Sequence, residues 1–416
     1  MLLLVNPKMI CKLWKILFFD KIILDIFVIL KGLPLNSVLP YMIRSGIIAA
    51  VTLIFAWGPS LCAQEVRFPD KWQEVLKTVR PLYRQDTLTV RVLGDIMMHS
   101  RQIETAFRKN GEYDFSSYFR NIQDRIEGAD IAVGNMEFTL AGEPYTGYPS
   151  FSAPDSFAEY LAACGLDVFL LANNHIYDKG GKGAERTMKV LEGLKDEYGI
   201  SWCGLGNDAT CGNPLIINSQ GIRIALINFT YGTNLGIGSK GPKTCYMNNQ
   251  EGILKALKKA ESADITIVLP HWGEEYVLHH SSDQADMAAW LAENGADIII
   301  GSHPHVPQDF EHIGQENVPV AYSVGNAVSN MSAANTQLEL MATVRIVRNG
   351  MGDISLLPVE FTYLWCSRPG GLCSSYAVIP VKEYIGRKEE WTGKWDYDKM
   401  VTTYSRVKAA TGIEDK

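Results

Sequence analysis

Four stretches of this chain share one layout, in which an apolar run of strand length ends abruptly in polar residues. They are Ala129-Asp130-Ile131-Ala132-Val133 before Gly134-Asn135-Met136-Glu137, Leu166-Asp167-Val168-Phe169-Leu170-Leu171 before Asn173-Asn174-His175, Ala263-Asp264-Ile265-Thr266-Ile267-Val268-Leu269 before His271-Trp272-Gly273, and Ile298-Ile299-Ile300 before Gly301-Ser302-His303-Pro304-His305. Short continuous apolar runs bounded by turn residues predict strands buried on both faces. Between them the spacing predicts helices over 118–127, 156–164, 183–198, 251–262 and 286–294. Strands alternating with helices predict an α/β fold with parallel strands. In such folds, loops leaving the carboxyl ends of the strands meet in one crevice, so residues far apart in sequence can share a site.

The remaining patterning fills out the picture. Residues 87–93 read as a first strand ending at Gly94-Asp95, 222–229 and 318–324 as further strands, and 337–361 as an antiparallel hairpin turning at Asn349-Gly350. Residues 64–85 read as an amphipathic lead-in helix, and 141–155, with Pro144, Gly147, Pro149 and Pro154, as a loop walling a pocket. The main domain is expected over 64–381. Residues 382–416 are expected to form a peripheral helix with a frayed tail.

Composition changes this little: of 416 residues, 47% are hydrophobic and 20% charged, which is globular. The net charge of −7 offers no basic stripe, so nucleic acid is not expected as a partner. Residues 1–63 are an apolar leader. Met42-Ile43-Arg44, an apolar run to Trp57 and the small residues Ser60, Cys62 and Ala63 have a secretory layout, with Met42 as start and cleavage after Ala63. Membrane association is then expected only through this segment if it stays uncleaved, and the protein is placed in the periplasm or on the outer face of the cytoplasmic membrane. An exported chain can keep disulfides. Cys203 with Cys211 and Cys366 with Cys373 bracket short Gly-containing loops and are expected bridges, with buried free thiols as the alternative.

Asp95, Glu137, Asn174, His271, His303 and His305 are oxygen and nitrogen donors without thiolates, a set suited to one or two divalent ions such as Mn, Zn or Fe. Such ions assist hydrolysis. His175, beside Asn174, is free to act as a general acid with Asp178 orienting its other ring nitrogen. Gly204-Leu205-Gly206 is too sparse for a phosphate cradle, and His279 and His280 read as rim residues because no strand end presents them.

The ordered set Gly94-Asp95-Ile96-Met97, Gly134-Asn135-Met136-Glu137, Asn173-Asn174-His175-x-x-Asp178-x-Gly180, His271-Trp272-Gly273-x-Glu275-Tyr276, Gly301-x-His303-Pro304-His305 and Ser323-Val324-Gly325-Asn326 resembles the bacterial capsule-synthesis CapA family. The resemblance covers about residues 88–365. It implies a four-layer α/β/β/α sandwich of metallophosphatase type and a role in poly-γ-glutamate capsule production. It also implies a first metal on Asp95 and His305, a bridging Glu137, and a second metal on Asn174, His271 and His303. Asn135, Asn173, Glu275, Tyr276 and Asn326 would support the ligands or face the substrate. Met97 stands where metallophosphatases carry a His, so the first metal loses a ligand unless His99 substitutes. The implied function is a hydrolase acting on capsule or envelope polymer, with membrane ligase subunits as further partners. A phosphomonoesterase or phosphodiesterase and a non-catalytic polymer- or partner-binding protein are the alternatives.

Overall fold

The computed structural model describes residues 86–416 except 208–210 and 238–239. The expected leader over 1–63, its expected start at Met42 and the expected lead-in helix over 64–85 all fall outside the described residues. In chain order the first strands are β1 (Asp86–Ile96), β2 (Ile131–Met136), β3 (Val168–Leu170), β4 (Ser201–Cys203), β5 (Leu205–Gly206) and β6 (Leu215–Ser219). Then come β7 (Ile222–Thr230), β8 (Lys243–Thr244), β9 (Ile265–His271), β10 (Ile298–Ile300), β11 (Phe310–Ile313) and β12 (Val318–Ala321). The last are β13 (Asn326–Val328), β14 (Leu338–Arg348), β15 (Ile354–Leu356), β16 (Glu360–Ser367) and β17 (Ala377–Pro380). The helices are α1 (Ser100–Ala106), α2 (Gln123–Glu127), α3 (Asp155–Ala163), α4 (Gly180–Tyr198), α5 (Gln250–Ala260), α6 (Ser282–Glu293), α7 (Val381–Tyr384) and α8 (Lys394–Thr411). Among the described residues no helix is long and apolar enough to cross a membrane.

Two sheets carry the fold. One runs β17-β16-β14-β1-β2-β3-β4, with β13 beside β1 and β15 beside β14, and the other runs β11-β12-β10-β9-β7-β6. β1 to β4 pair in parallel, as do β7, β9, β10 and β12. The period-two pattern explains how the sheets stack. In β7, Ile222, Ile224 and Leu226 join Val90, Val92, Ile131 and Val133 of the other sheet in one core. The intervening Ala225, Ile227 and Phe229 face α5 and α6, meeting Ile253, Leu257, Met287 and Leu291. On the far side, Ile96, Ala132 and Phe169 pack against Phe157, Leu161, Ala184 and Leu191 of α3 and α4. Three cores between four layers make the expected α/β/β/α sandwich. Each fully buried Ile or Leu contributes roughly 1.5–3 kcal/mol, and Leu226→Ala in the middle core would lose about 2–5 kcal/mol.

The hairpin at Asn349-Gly350 forms, pairing Ile346 with Leu356 and Arg348 with Ile354. The helix expected over 118–127 is helical only over α2, because turns occupy the residues before it. Two expectations are corrected. The C-terminal helix is not peripheral: Met400, Tyr404 and Val407 of α8 belong to the core between the sheets. Its tail is pinned rather than frayed, since Asp415 Oδ1 accepts the Tyr363 N–H at 3.2 Å and the Lys416 N–H donates to Phe361 O. The expected disulfides do not form. Cys211 pairs with Cys245, while Cys164, Cys203, Cys366 and Cys373 are free. Cys203 and Cys211 are near in sequence but lie in different layers, Cys203 in the core between the sheets and Cys211 under α5. The Cys366 thiol donates to Ser329 O, away from Cys373, whose thiol bonds Ser375 O.

Candidate metal centre

The carboxyl ends of β1, β2, β3, β9 and β10 open at one crevice, as the strand-end rule requires. Gly94 lets β1 enter it. A Cβ on Gly94 would lie 1.8 Å from Gly325 O, so only glycine allows β13 to close on β1 and the Asp95 N–H to reach Gly325 O at 2.9 Å. Asp95 is thereby held fully buried. Its Oδ1 accepts Asn135 Nδ2–H at 2.7 Å, and its Oδ2 accepts the His303 backbone N–H at 3.2 Å and lies 3.2 Å from His305 Nδ1.

The loop after β10 is strained where it carries its imidazoles. His303 has φ 101° and His305 φ 59°, conformations that non-glycine residues adopt seldom and keep where the surroundings hold them. The donor atoms of Glu137, His271 and His303 lie within 4.8 Å of one another, as do those of Asp95, Glu137 and His305, and those of Glu275, His303 and His305. Glu137 is common to the first two groups. Asn174 Oδ1 joins them at 2.9 Å from His271 Nε2, whose Nδ1 lies 3.0 Å from Ser302 Oγ. Asn326 Oδ1 lies 2.9 Å from His305 Nδ1. Asn173 donates to Met136 O at 2.9 Å and accepts the His175 N–H at 3.1 Å.

The electrostatics differ from one donor to the next. Burial pushes His271 down to about 3 and, with the charges of His271 and His305, pushes His303 well below the usual imidazole range. Burial opposes the His305 cation and the Asp95 anion alike, yet their mutual hydrogen bond and charge win, so His305 is raised and Asp95 lowered. Glu137 is raised well above the carboxylate range by burial and by Asp95. Two buried atoms here have no hydrogen-bond partner among the described residues: Glu137 Oε1 and His303 Nδ1. An orphaned buried carboxylate oxygen costs about 1–3 kcal/mol or more. A divalent cation would offer such atoms a partner, and the carboxylate, amide and imidazole donors present fit such an ion.

His175 lies outside these groupings. Its Nδ1 is 2.8 Å from Asp178 Oδ2 and its Nε2 is 4.0 Å from Glu137 Oε1. Asp178 Oδ2 also accepts the Phe151 N–H at 2.7 Å, and the Phe151 ring stands edge-on to His175 at 4.7 Å. The expected pocket wall therefore holds the His–Asp pair. Tyr276 is exposed at the mouth, with its ring 6.3 Å from His305. His99 joins none of the donor groups and so does not replace the ligand absent at Met97: its Nδ1 lies 3.2 Å from Gln102 Oε1 and 3.3 Å from Asn330 N, while Met97 lies in the apolar core. Sequence reasoning missed Ser302, Tyr231, whose ring lies 4.4 Å from that of His303, and Glu339, whose Oε1 accepts the Gly94 N–H at 2.7 Å. Tyr231 directly follows β7 and could have been found by the same strand-end rule.

A four-layer sandwich whose parallel strand ends gather carboxylate, amide and imidazole donors around one shared buried carboxylate defines the class, an α/β/β/α fold with a candidate metal centre. Within that class the chain belongs to the family described as bacterial capsule synthesis protein PGA_cap, whose model matches residues 89–331, more than half of its length. It is 29% identical over 304 residues to the capsule biosynthesis protein CapA of Bacillus anthracis, covering 70% of this chain and 72% of that one. It is 26% identical over 296 residues to the PGA biosynthesis protein CapA of Bacillus subtilis, covering 67% and 73%. Similar solved structures include a novel phosphatase of Mycoplasma pneumoniae (15% identity, 68% and 95% covered, TM-score 0.39) and the Haemophilus influenzae NAD nucleotidase (15%, 78% and 68%, TM-score 0.41). At those scores they add nothing to the layers and strand order above.

Proposed function

We propose that this chain is an exported, metal-dependent hydrolase that acts on an anionic capsule or envelope polymer, poly-γ-glutamate. The observation that carries this reading is the buried Glu137, shared by two donor groups and left with an unpaired Oε1. Asp95, Glu137 and His305 would hold one divalent ion, and Glu137, Asn174, His271 and His303 a second, with Mn, Zn or Fe suited to the donors. Such ions would supply a coordinated water of lowered pKa and a Lewis acid for the carbonyl. The chain's own residues do the rest. Asp178 fixes the His175 ring through Nδ1 and leaves Nε2 turned toward the centre, free to pass a proton to the departing amine. Phe151 shields that pair from water on one side. Membership of the capsule family and the name of the Bacillus subtilis relative, a PGA biosynthesis protein, support the choice of polymer. Membrane-bound ligase subunits are the partners such a step would serve, on the outer face of the cytoplasmic membrane or in the periplasm.

The test is metal analysis of the full chain after reconstitution with Mn, Zn and Fe, followed by hydrolysis assays on poly-γ-glutamate and on p-nitrophenyl phosphate mono- and diesters. Metal-dependent shortening of the polymer is expected. Ester hydrolysis alone would make the protein a phosphoesterase, and polymer binding without turnover by the metal-loaded protein would make it a binding component.

A further inference from the structure

The two donor groups of the centre are unequal. Glu137, Asn174, His271 and His303 give one side four donors, whereas Asp95, Glu137 and His305 give the other three. Glu275 stands beside one imidazole of each group. Its carboxylate lies within 4.8 Å of donor nitrogens on both His303 and His305, and it is exposed where Glu137 is buried. The two carboxylates thus flank the imidazole pair, one from the core and one from the mouth.

Glu275 is not an ordinary surface carboxylate, because the loop bearing it is tied down directly beyond it. The next residue, Tyr276, has φ 69°, an outlier for a bulky side chain, and its N–H donates to Pro304 O at 2.8 Å between the two histidines. Beyond it, Gln308 Nε2 donates to Val277 O and His279 O at 2.9 and 3.2 Å. His279 and His280 both close on Asp309, at 3.0 and 3.1 Å. Backbone strain kept by so many ties marks a side chain held for use.

We infer that Glu275 is a metal ligand, closing the Asp95–His305 side of the centre from the solvent face. This rests on the metal-centre reading above. A carboxylate arriving from the mouth gives the three-donor side its fourth protein donor, and its exposure makes it the ligand that an incoming anionic oxygen can displace.

The test uses the full apo chain titrated with Mn²⁺, by calorimetry and by electron paramagnetic resonance of the bound ion, in wild type, Glu275→Ala and Glu274→Ala. Glu274 is exposed on the same loop and belongs to none of the donor groups, so it controls for loss of charge alone. Glu275→Ala should weaken one of two Mn²⁺ ions at least about tenfold, change its resonance spectrum, and leave the other within about threefold. Glu274→Ala should match wild type. Both ions held as in wild type by Glu275→Ala, or equal weakening by the two variants, would overturn the ligand role while leaving the metal centre standing. A wild-type chain that takes up no Mn²⁺ would overturn the metal centre and this inference with it.

Discussion

Two sets of histidines occupy opposite circumstances in this molecule. His271, His303 and His305 are almost wholly buried, lie among carboxylates, and leave His303 Nδ1 with no hydrogen-bond partner. His279 and His280 stand a few residues from His271 at the rim, and each has its carboxylate partner in Asp309. Both are imidazole–carboxylate clusters, so residue type does not separate them. Burial and satisfaction do. At the rim, both rings have Asp309 as partner and His279 stays open to solvent, and exposed pairs of that kind contribute about 0–1 kcal/mol. In the crevice, the rings have been stripped of water without full compensation, a cost that a protein bears where something else is to be bound.

The sharpest break in this comparison is His303→Ala. It should abolish uptake of at least one ion, and with it turnover, while His279→Ala should keep both, as read by metal analysis after dialysis. Equal metal content in the two variants would remove the distinction. His175→Ala comes next. It should keep fold and metal yet lose roughly 10²–10⁴-fold in turnover, the usual weight of one general acid or base. Metal loss as complete as in His303→Ala would make His175 a ligand instead.

Glu339 extends the comparison from imidazoles to a carboxylate under the site. It is fully buried, its Oε2 has no partner among the described residues, and burial pushes its pKa up to about 8. A carboxyl raised in the folded state favours folding fully below the unfolded value near 4.5, and that advantage is lost as pH rises through about 8. Stability should therefore fall over this window by on the order of a few kcal/mol at about 1.4 kcal/mol per unit. Urea unfolding at pH 5 and 8.5 should show the slope in wild type and a flatter one in Glu339→Gln. The smallest effect belongs to the rim. His280→Ala should cost about 1 kcal/mol or less in urea unfolding, with metal content unchanged. A loss several times larger would mean that the Asp309 tie also holds the buried set.

Much of this site was legible before any coordinates. Asn135, Glu137, Asn174, His271, His303 and His305 each follow an apolar run, and a polar residue at the mouth of a buried strand has few places to go except a shared crevice. Asp95 was harder, because Gly-Asp is also an ordinary turn. What distinguishes it is the close approach of Gly325 O, which belongs to a segment more than 200 residues away. Glu339 was misleading. In Leu338-Glu339-Leu340 the alternation places the glutamate on a solvent face, but β14 lies between β1 and β16 and is covered on both sides. The disulfide was not legible either, since Cys211 and Cys245 are separated by 34 residues and meet only in the core formed where α5 packs on β7.

The sequence by itself determined the alternation of strands and helices, the parallel strands and the inventory of donors, because apolar periodicity and strand-end polarity are local properties of the chain. Tertiary structure alone decided which donors share Glu137, that Glu275 stands over His303 and His305, and that α8 belongs to the core rather than the periphery. Those outcomes depend on sheet stacking and on the strained turns at Tyr276, His303 and His305. Neither is encoded in any short stretch, because each needs a distant backbone atom to hold it.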